Sequence, residues 1–171
     1  ISEYLLTQSS DDLGLYIHVP FCKHECPYCD FYKFAIKSKP AKQRIQFLEI
    51  VWDELSLWRT KASEVFDRPL SSVYFGGGTP GILPAAQITS FLEKLSSSFD
   101  FSKDVEITLE ANPENCTDSN LDQWAAADIN RLSLGVQTFQ SSHLEFLERL
   151  HTPDVLERAL QRIQSSPIGN Y

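Results

Sequence analysis

The 171-residue sequence contains no methionine, only 7 glycines, and 15 lysines and arginines against 23 aspartates and glutamates. A net charge of −8 without a basic stripe argues against nucleic acid as a partner. No apolar run approaches the ~20 residues that a membrane-spanning helix needs. Low-complexity segments, internal repeats and a secretory signal are also missing. Only 4 cysteines occur, and three of them are clustered, which speaks against a disulfide framework and for a reducing, cytoplasmic setting. Without methionine, Ile1 is not expected to be the natural start. What remains is an ordinary globular composition, 42% hydrophobic and long enough for one domain with a real core.

The clustered cysteines are the most informative residues. Cys22, Cys26 and Cys29 follow an apolar run, Leu13 to Pro20, in the spacing C-x3-C-x2-C. Three thiolates on one short loop can hold three corners of a cubane iron–sulfur cluster and leave the fourth iron open to a substrate. A structural zinc site is the alternative, but it wants four ligands. His24 could be the fourth, awkwardly placed between Cys22 and Cys26; incidental thiols are the blandest alternative. Cys116 stands apart in a polar stretch and reads as a free thiol with no role.

Along the chain, strand and helix patterns alternate. Strands are expected at Leu13–Val19, Ser71–Phe75, Val105–Glu110 and Arg131–Val136. A helix over Ala41–Arg59 would bury Ile45, Leu48, Trp52 and Leu55. Pro84 opens a second, with Ile88, Phe91, Leu92, Leu95 and Phe99 on one face. A short helix over Asp118–Ala127 buries Leu121 and Trp124, and a helical turn or two covers Ser141–Leu150. Thr152-Pro153 caps a last helix, Asp154–Gln164, which Ser165-Ser166-Pro167 ends. Repeated βα units imply an α/β fold with parallel strands and helices outside.

Both faces of such strands are usually apolar, yet these alternate. Val105, Ile107 and Leu109 oppose Glu106, Thr108 and Glu110; Leu132, Leu134 and Val136 oppose Arg131, Ser133, Gly135 and Gln137. Leu15, Ile17 and Val19 likewise oppose Tyr16 and His18. One face packs on helices, so the other must be wet or bind something. A sheet curled into a barrel with a polar interior explains this better than a flat doubly wound sheet. A sheet face left bare of helices is the alternative.

Three further motifs sit where βα folds bind ligands, at the C-terminal ends of strands. Gly76-Gly77-Gly78-Thr79-Pro80 follows the second strand; its glycines allow a ligand close to the backbone, or serve only a tight turn. Glu110-Ala111-Asn112-Pro113 ends the third, with a carboxylate that could take a ribose diol or simply face solvent. Gln137 ends the fourth with the same ambiguity. Arg149 and His18 would, without context, be a solvated helical arginine and a satisfied interior histidine.

Taken in order, Tyr16-Ile17-His18-Val19-Pro20-Phe21-Cys22, the cysteine spacing, Gly-Gly-Gly-Thr-Pro, Glu-Ala-Asn-Pro and Leu134-Gly135-Val136-Gln137 resemble the radical S-adenosylmethionine (SAM) superfamily. More narrowly, they resemble its branch of oxygen-independent coproporphyrinogen III oxidases (dehydrogenases) and haem chaperones. The resemblance runs from Leu15 to Ile163. It implies that Cys22, Cys26 and Cys29 hold a 4Fe–4S cluster whose open iron chelates SAM. It implies SAM-side roles for Tyr16, Tyr28 (by the adenine), Gly77, Gly78 and Thr79 (by the methionine end), Glu110, Gln137 and Arg149. Reductive cleavage of SAM to a 5′-deoxyadenosyl radical would follow, fed by an electron donor such as flavodoxin or ferredoxin, with haem or a porphyrin as the other partner. The dehydrogenases carry x-Cys after the third cysteine, whereas Asp30-Phe31 here follows the chaperone pattern. The implied barrel has about six βα units; four are found. Residues 1–12 are thus expected as an N-terminal extension and 13–171 as a partial (β/α) barrel, cut before a fifth strand and leaving the fourth as an unpaired edge.

Overall fold

The computed structural model describes residues 13–36 and 44–171. The expected extension at 1–12 and the expected start of the first helix at Ala41 lie outside the described residues. The main sheet contains β1 (Leu13–Val19), β4 (Leu70–Gly77), β5 (Phe101–Ala111) and β6 (Arg131–Leu134), all parallel and in that spatial order. Two short strands, β2 (Phe21–Cys22) and β3 (Phe34–Ala35), form a separate parallel pair. The helices are α1 (Phe47–Lys61), α2 (Ser63–Phe66), α3 (Ala85–Ser98), α4 (Asp118–Ala126), α5 (Ser141–Phe146) and α6 (Pro153–Ser165).

The alternating pattern becomes two rows across the sheet. Ile17 pairs with Phe75, Phe75 with Leu109 and Leu109 with Leu132, and all four are buried. Helix residues Ile88, Phe91, Leu95, Leu121, Trp124 and Ile163 belong to the same core. Each large apolar side chain buried there contributes about 1.5–3 kcal/mol. One residue earlier on each strand lies the opposite row, Tyr16, Tyr74, Thr108 and Arg131. Tyr16 in this row is 57% exposed. The period of two therefore separates a helix-packed face from a polar one.

Capping places the helices as expected. Thr152 accepts from the Val155 N–H and Pro153 occupies the first turn of α6. Thr117 accepts from the Asn120 N–H at the head of α4, and Pro84 precedes α3.

Several boundaries differ from the sequence expectation. Ile45 is helical but separated from α1 by a turn at Gln46, and it is 58% exposed where burial was expected, while Leu48 and Leu55 carry the buried face. β6 stops at Leu134, two residues early. The Val136 N–H turns back to the Leu134 carbonyl (2.9 Å) and the Thr138 N–H to the Val136 carbonyl (2.8 Å). Gln137 therefore sits in a γ-turn with φ 62° and does not end a strand. α5 stops at Phe146, so Arg149 is not helical but lies in the α5–α6 connection. Cys116, in a polar stretch of sequence, is wholly buried in the core. Its role is packing. The β6 edge is not bare: Asn170 bridges Arg131 and accepts from the Leu132 N–H at 2.9 Å.

Candidate functional site

At the C-terminal ends of the strands the three cysteines open on one cleft of about 350 Å³. The loop that carries them is clasped at both ends by β2 and β3. The Phe34 N–H donates to the Pro20 carbonyl (2.7 Å), and Glu25 accepts from the Ala35 N–H (2.7 Å). Within the loop the Cys29 N–H reaches the Cys26 carbonyl at 3.2 Å, and the Lys33 ammonium donates to the Cys29 carbonyl. Cys22 is buried, and Cys26 and Cys29 are half-buried. Burial raises the Cys22 thiol pKa above its ordinary value, and the neighbouring thiols add to this; the Thr79 hydroxyl and the Lys33 charge oppose it.

The glycine run is strapped to the cysteine loop. The Gly78 N–H donates to the Val19 carbonyl and the Thr79 N–H to the Phe21 carbonyl, each at 2.8 Å. A methyl group on Gly78 would lie 2.7 Å from the Phe21 carbonyl oxygen. Only glycine lets two strand ends approach this closely. Glu110 closes the other side, accepting from the Gly77 N–H (3.0 Å) and the Tyr74 hydroxyl (2.8 Å).

Arg149 spans the far wall. Its guanidinium donates to Asn112 Oδ1 (2.6 Å), the Gly135 carbonyl (2.9 Å), the Tyr28 hydroxyl (3.3 Å) and Cys26 Sγ (3.7 Å). A Cβ on Gly135 would meet Asn112 Oδ1 at 2.6 Å, so glycine makes room for this crossing. Burial raises the Tyr28 pKa, while Arg149 pulls it back.

Tyr28, Gly77, Gly78, Thr79, Glu110, Gln137 and Arg149 thus line the same cleft as the three cysteines. Tyr16 does not. It lies on the polar sheet face, stacked on Tyr74 with centroids 5.9 Å apart and bonded to His18 at 3.1 Å. His18 in turn reaches the Tyr32 carbonyl (2.8 Å), a satisfied histidine as expected. Sequence reasoning passed over Asn112, read only as part of an Asn-Pro turn, and Glu114 and Ser133, which also line the cleft. Their signal was position alone: each lies at or just past the C-terminal end of a strand.

The donor set is three thiols on one loop, one short of the four ligands of a structural zinc site and the number that leaves one iron of a cubane without a protein ligand. His24 is turned onto Glu148 at 3.1 Å, so its Nε2 is engaged. Among the described residues no three His, Cys, Asp or Glu side chains converge on one ion. A cubane takes its thiolates on separate irons and leaves one iron free, which the adjoining cleft could serve.

The fold is a parallel β/α sheet with three cysteines on the loop after its first strand, beside a cleft lined by the ends of the next three strands of the sheet, and a group held by the cysteines would adjoin a small molecule in that cleft. The chain belongs to the radical SAM superfamily, whose family model matches residues 16–170. It is 35% identical over 159 residues to the heme chaperone HemW of Haemophilus influenzae, covering 93% of this chain and 41% of that protein. It is 32% identical over 155 residues to the mitochondrial radical S-adenosyl methionine domain-containing protein 1 of Danio rerio, covering 91% of this chain and 33% of that one. The solved structure described as coproporphyrinogen III oxidase (HemN) from Escherichia coli, a radical SAM enzyme, superposes with a TM-score of 0.77 at 28% identity, covering 96% of this chain and 37% of that one. The chain therefore spans about two fifths of the length of its H. influenzae relative. Among the described residues no helix is long and apolar enough to cross a membrane.

Proposed function

We propose that this chain supplies the cluster- and SAM-binding part of a haem chaperone, a radical SAM protein that binds haem and delivers it. The observation that carries the reading is the single cleft shared by Cys22, Cys26, Cys29, Gly77, Gly78, Thr79, Glu110 and Arg149. In this reading the three cysteines hold a 4Fe–4S cluster, which when bound supplies the electron for reductive cleavage of SAM. The strapped glycine loop offers backbone to the methionine end, and Glu110 offers carboxylate oxygens to the ribose. Arg149 places positive charge beside the cluster loop, and Tyr28 closes the mouth against water. Gln137, held in its γ-turn, presents its amide to the same cleft. Residues 13–171 form the first part of a larger barrel, with residues 1–12 as an extension ahead of it. The electron comes from a small redox protein of the flavodoxin or ferredoxin kind in a reducing compartment such as the cytoplasm.

The haem-chaperone reading draws on the names of the sequence relatives and on Asp30-Phe31 after the third cysteine. The second reading, oxygen-independent coproporphyrinogen III oxidation, draws on the structural likeness to HemN. Anaerobic reconstitution with iron and sulfide, an iron count, and assays of 5′-deoxyadenosine, haemin binding and CO2 release from coproporphyrinogen separate them. The chaperone reading expects about four irons per chain, dependent on all three cysteines, with haemin bound and no CO2 released. CO2 release favours the oxidase. No iron, or one zinc per chain, overturns both.

A further inference from the structure

The two best-connected cysteines are joined to each other by a chain of side chains whose proton directions are fixed. It starts at Arg149, which can only donate. Arg149 gives one N–H to Cys26 Sγ (3.7 Å) and another to Asn112 Oδ1 (2.6 Å). The turn at Pro113–Asn115 also aims the backbone N–H of Asn115 at the Asn112 side chain. With donors on Oδ1, the Asn112 amide is oriented: its Nδ2 faces the Thr79 hydroxyl and donates to it at 3.4 Å. The Thr79 oxygen is thereby an acceptor toward Asn112. Its own proton is left for Cys22 Sγ, 3.6 Å away, and both Thr79 and Cys22 are buried.

We infer that Arg149, Asn112 and Thr79 form a polarised hydrogen-bond chain whose two ends donate to cluster-ligand sulfurs, and that Asn112 is the positioning residue that sets its direction. The inference rests on the proposal that Cys22 and Cys26 hold a cluster. Donors to a ligand sulfur stabilise the more negative, reduced cluster and raise its potential. Each donor in such a chain also strengthens the next. The chain runs along the wall of the cleft, so the residues that would face the small molecule also tune the metal group beside it.

The test reads the midpoint potential of the reconstituted protein by EPR-monitored titration, without SAM, after an iron count for each variant. Thr79→Val removes the donor to Cys22 and lowers the equilibrium constant for reduction about tenfold, or 59 mV for one electron. Thr79→Ser keeps the hydroxyl and the wild-type potential. Asn112→Ala lowers the potential in the wild-type background. It has little further effect in Thr79→Val, because the two act through one proton. An exchangeable deuteron coupled to the reduced cluster, seen by ENDOR in the wild type, disappears in Thr79→Val and requires no potential measurement. A loaded cluster whose potential is the same in Thr79→Val and Thr79→Ser overturns the inference alone. Additive Asn112→Ala and Thr79→Val shifts remove the positioning role. If Thr79→Val does not hold iron, a wild-type cluster with no exchangeable deuteron still overturns it. No cluster in the wild type overturns the function proposed above along with it.

Discussion

Gly78→Ala tests whether the cysteine loop is held in place by backbone. The added methyl would lie 2.7 Å from the Phe21 carbonyl oxygen and 2.9 Å from that of Val19. Both obstacles are main chain, fixed in β1 and β2, so neither can swing aside as a side chain would. Relief requires the glycine run to lift away, which breaks the Gly78–Val19 and Thr79–Phe21 bonds. Overpacking of this kind costs about 1–3 kcal/mol. Each lost hydrogen bond adds about 1 kcal/mol. The total is about 3–5 kcal/mol, a large part of the roughly 5–15 kcal/mol that holds a typical domain. With a urea slope of about 2 kcal/mol per molar, the unfolding midpoint falls by about 1.5–2.5 M. The control is Gly169→Ala, where an added Cβ has nothing within 4 Å; it should stay within about 0.5 kcal/mol. Iron retained after reconstitution should fall in Gly78→Ala, because the strap ends at the residue before Cys22. If Gly78→Ala and Gly169→Ala unfold at the same urea concentration, the strap carries no load and the argument fails.

Other predictions concern groups buried in or beside the site. Burial first, and Arg149 second, lower the His151 pKa below its ordinary value, although Glu114 opposes this. Unfolded, the ring titrates near ~6.5, so its share of stability is present above that pH and lost as pH falls toward the lowered folded value. His151→Gln should flatten the stability curve in that window, and an unchanged curve by thermal melts at several pH values contradicts the assignment. The Cys116 thiol is pushed up to about 12, chiefly by burial. Native iodoacetamide mapping by mass spectrometry should therefore label Cys26 and Cys29 long before Cys116; equal rates would mean that its burial is wrong. Thr152→Ala removes the cap on Val155 and should cost about 1 kcal/mol, with Thr152→Ser restoring most of it. Equal stability of the Ala and Ser variants would show the cap to be idle.

Local chemistry made much of this legible in the sequence. The cap at Thr152 and the helix stripe of Ile88, Phe91 and Leu95 are short-range patterns, and each forms as read. The alternation along β1, β5 and β6 also told which face would be polar, because side chains on a strand point to opposite sides in turn. What the sequence could not carry was anything decided by chains meeting from afar. Gln137 reads as strand until the γ-turn at Val136–Thr138 is seen, and Arg149 reads as a solvated helical residue until α5 stops short. Cys116 reads as a free thiol with no role in a polar stretch, yet the turn after β5 drives it into the core. Asn112 is the sharpest case. Its sequence says only that a proline follows. It becomes the hinge of the site because residues 33 positions before and 37 positions after it are brought to its amide by separate elements. Spacing along a chain determines what a helix or strand can present. Which presented groups come within hydrogen-bond reach depends on how the elements pack, and that was settled only by the tertiary structure.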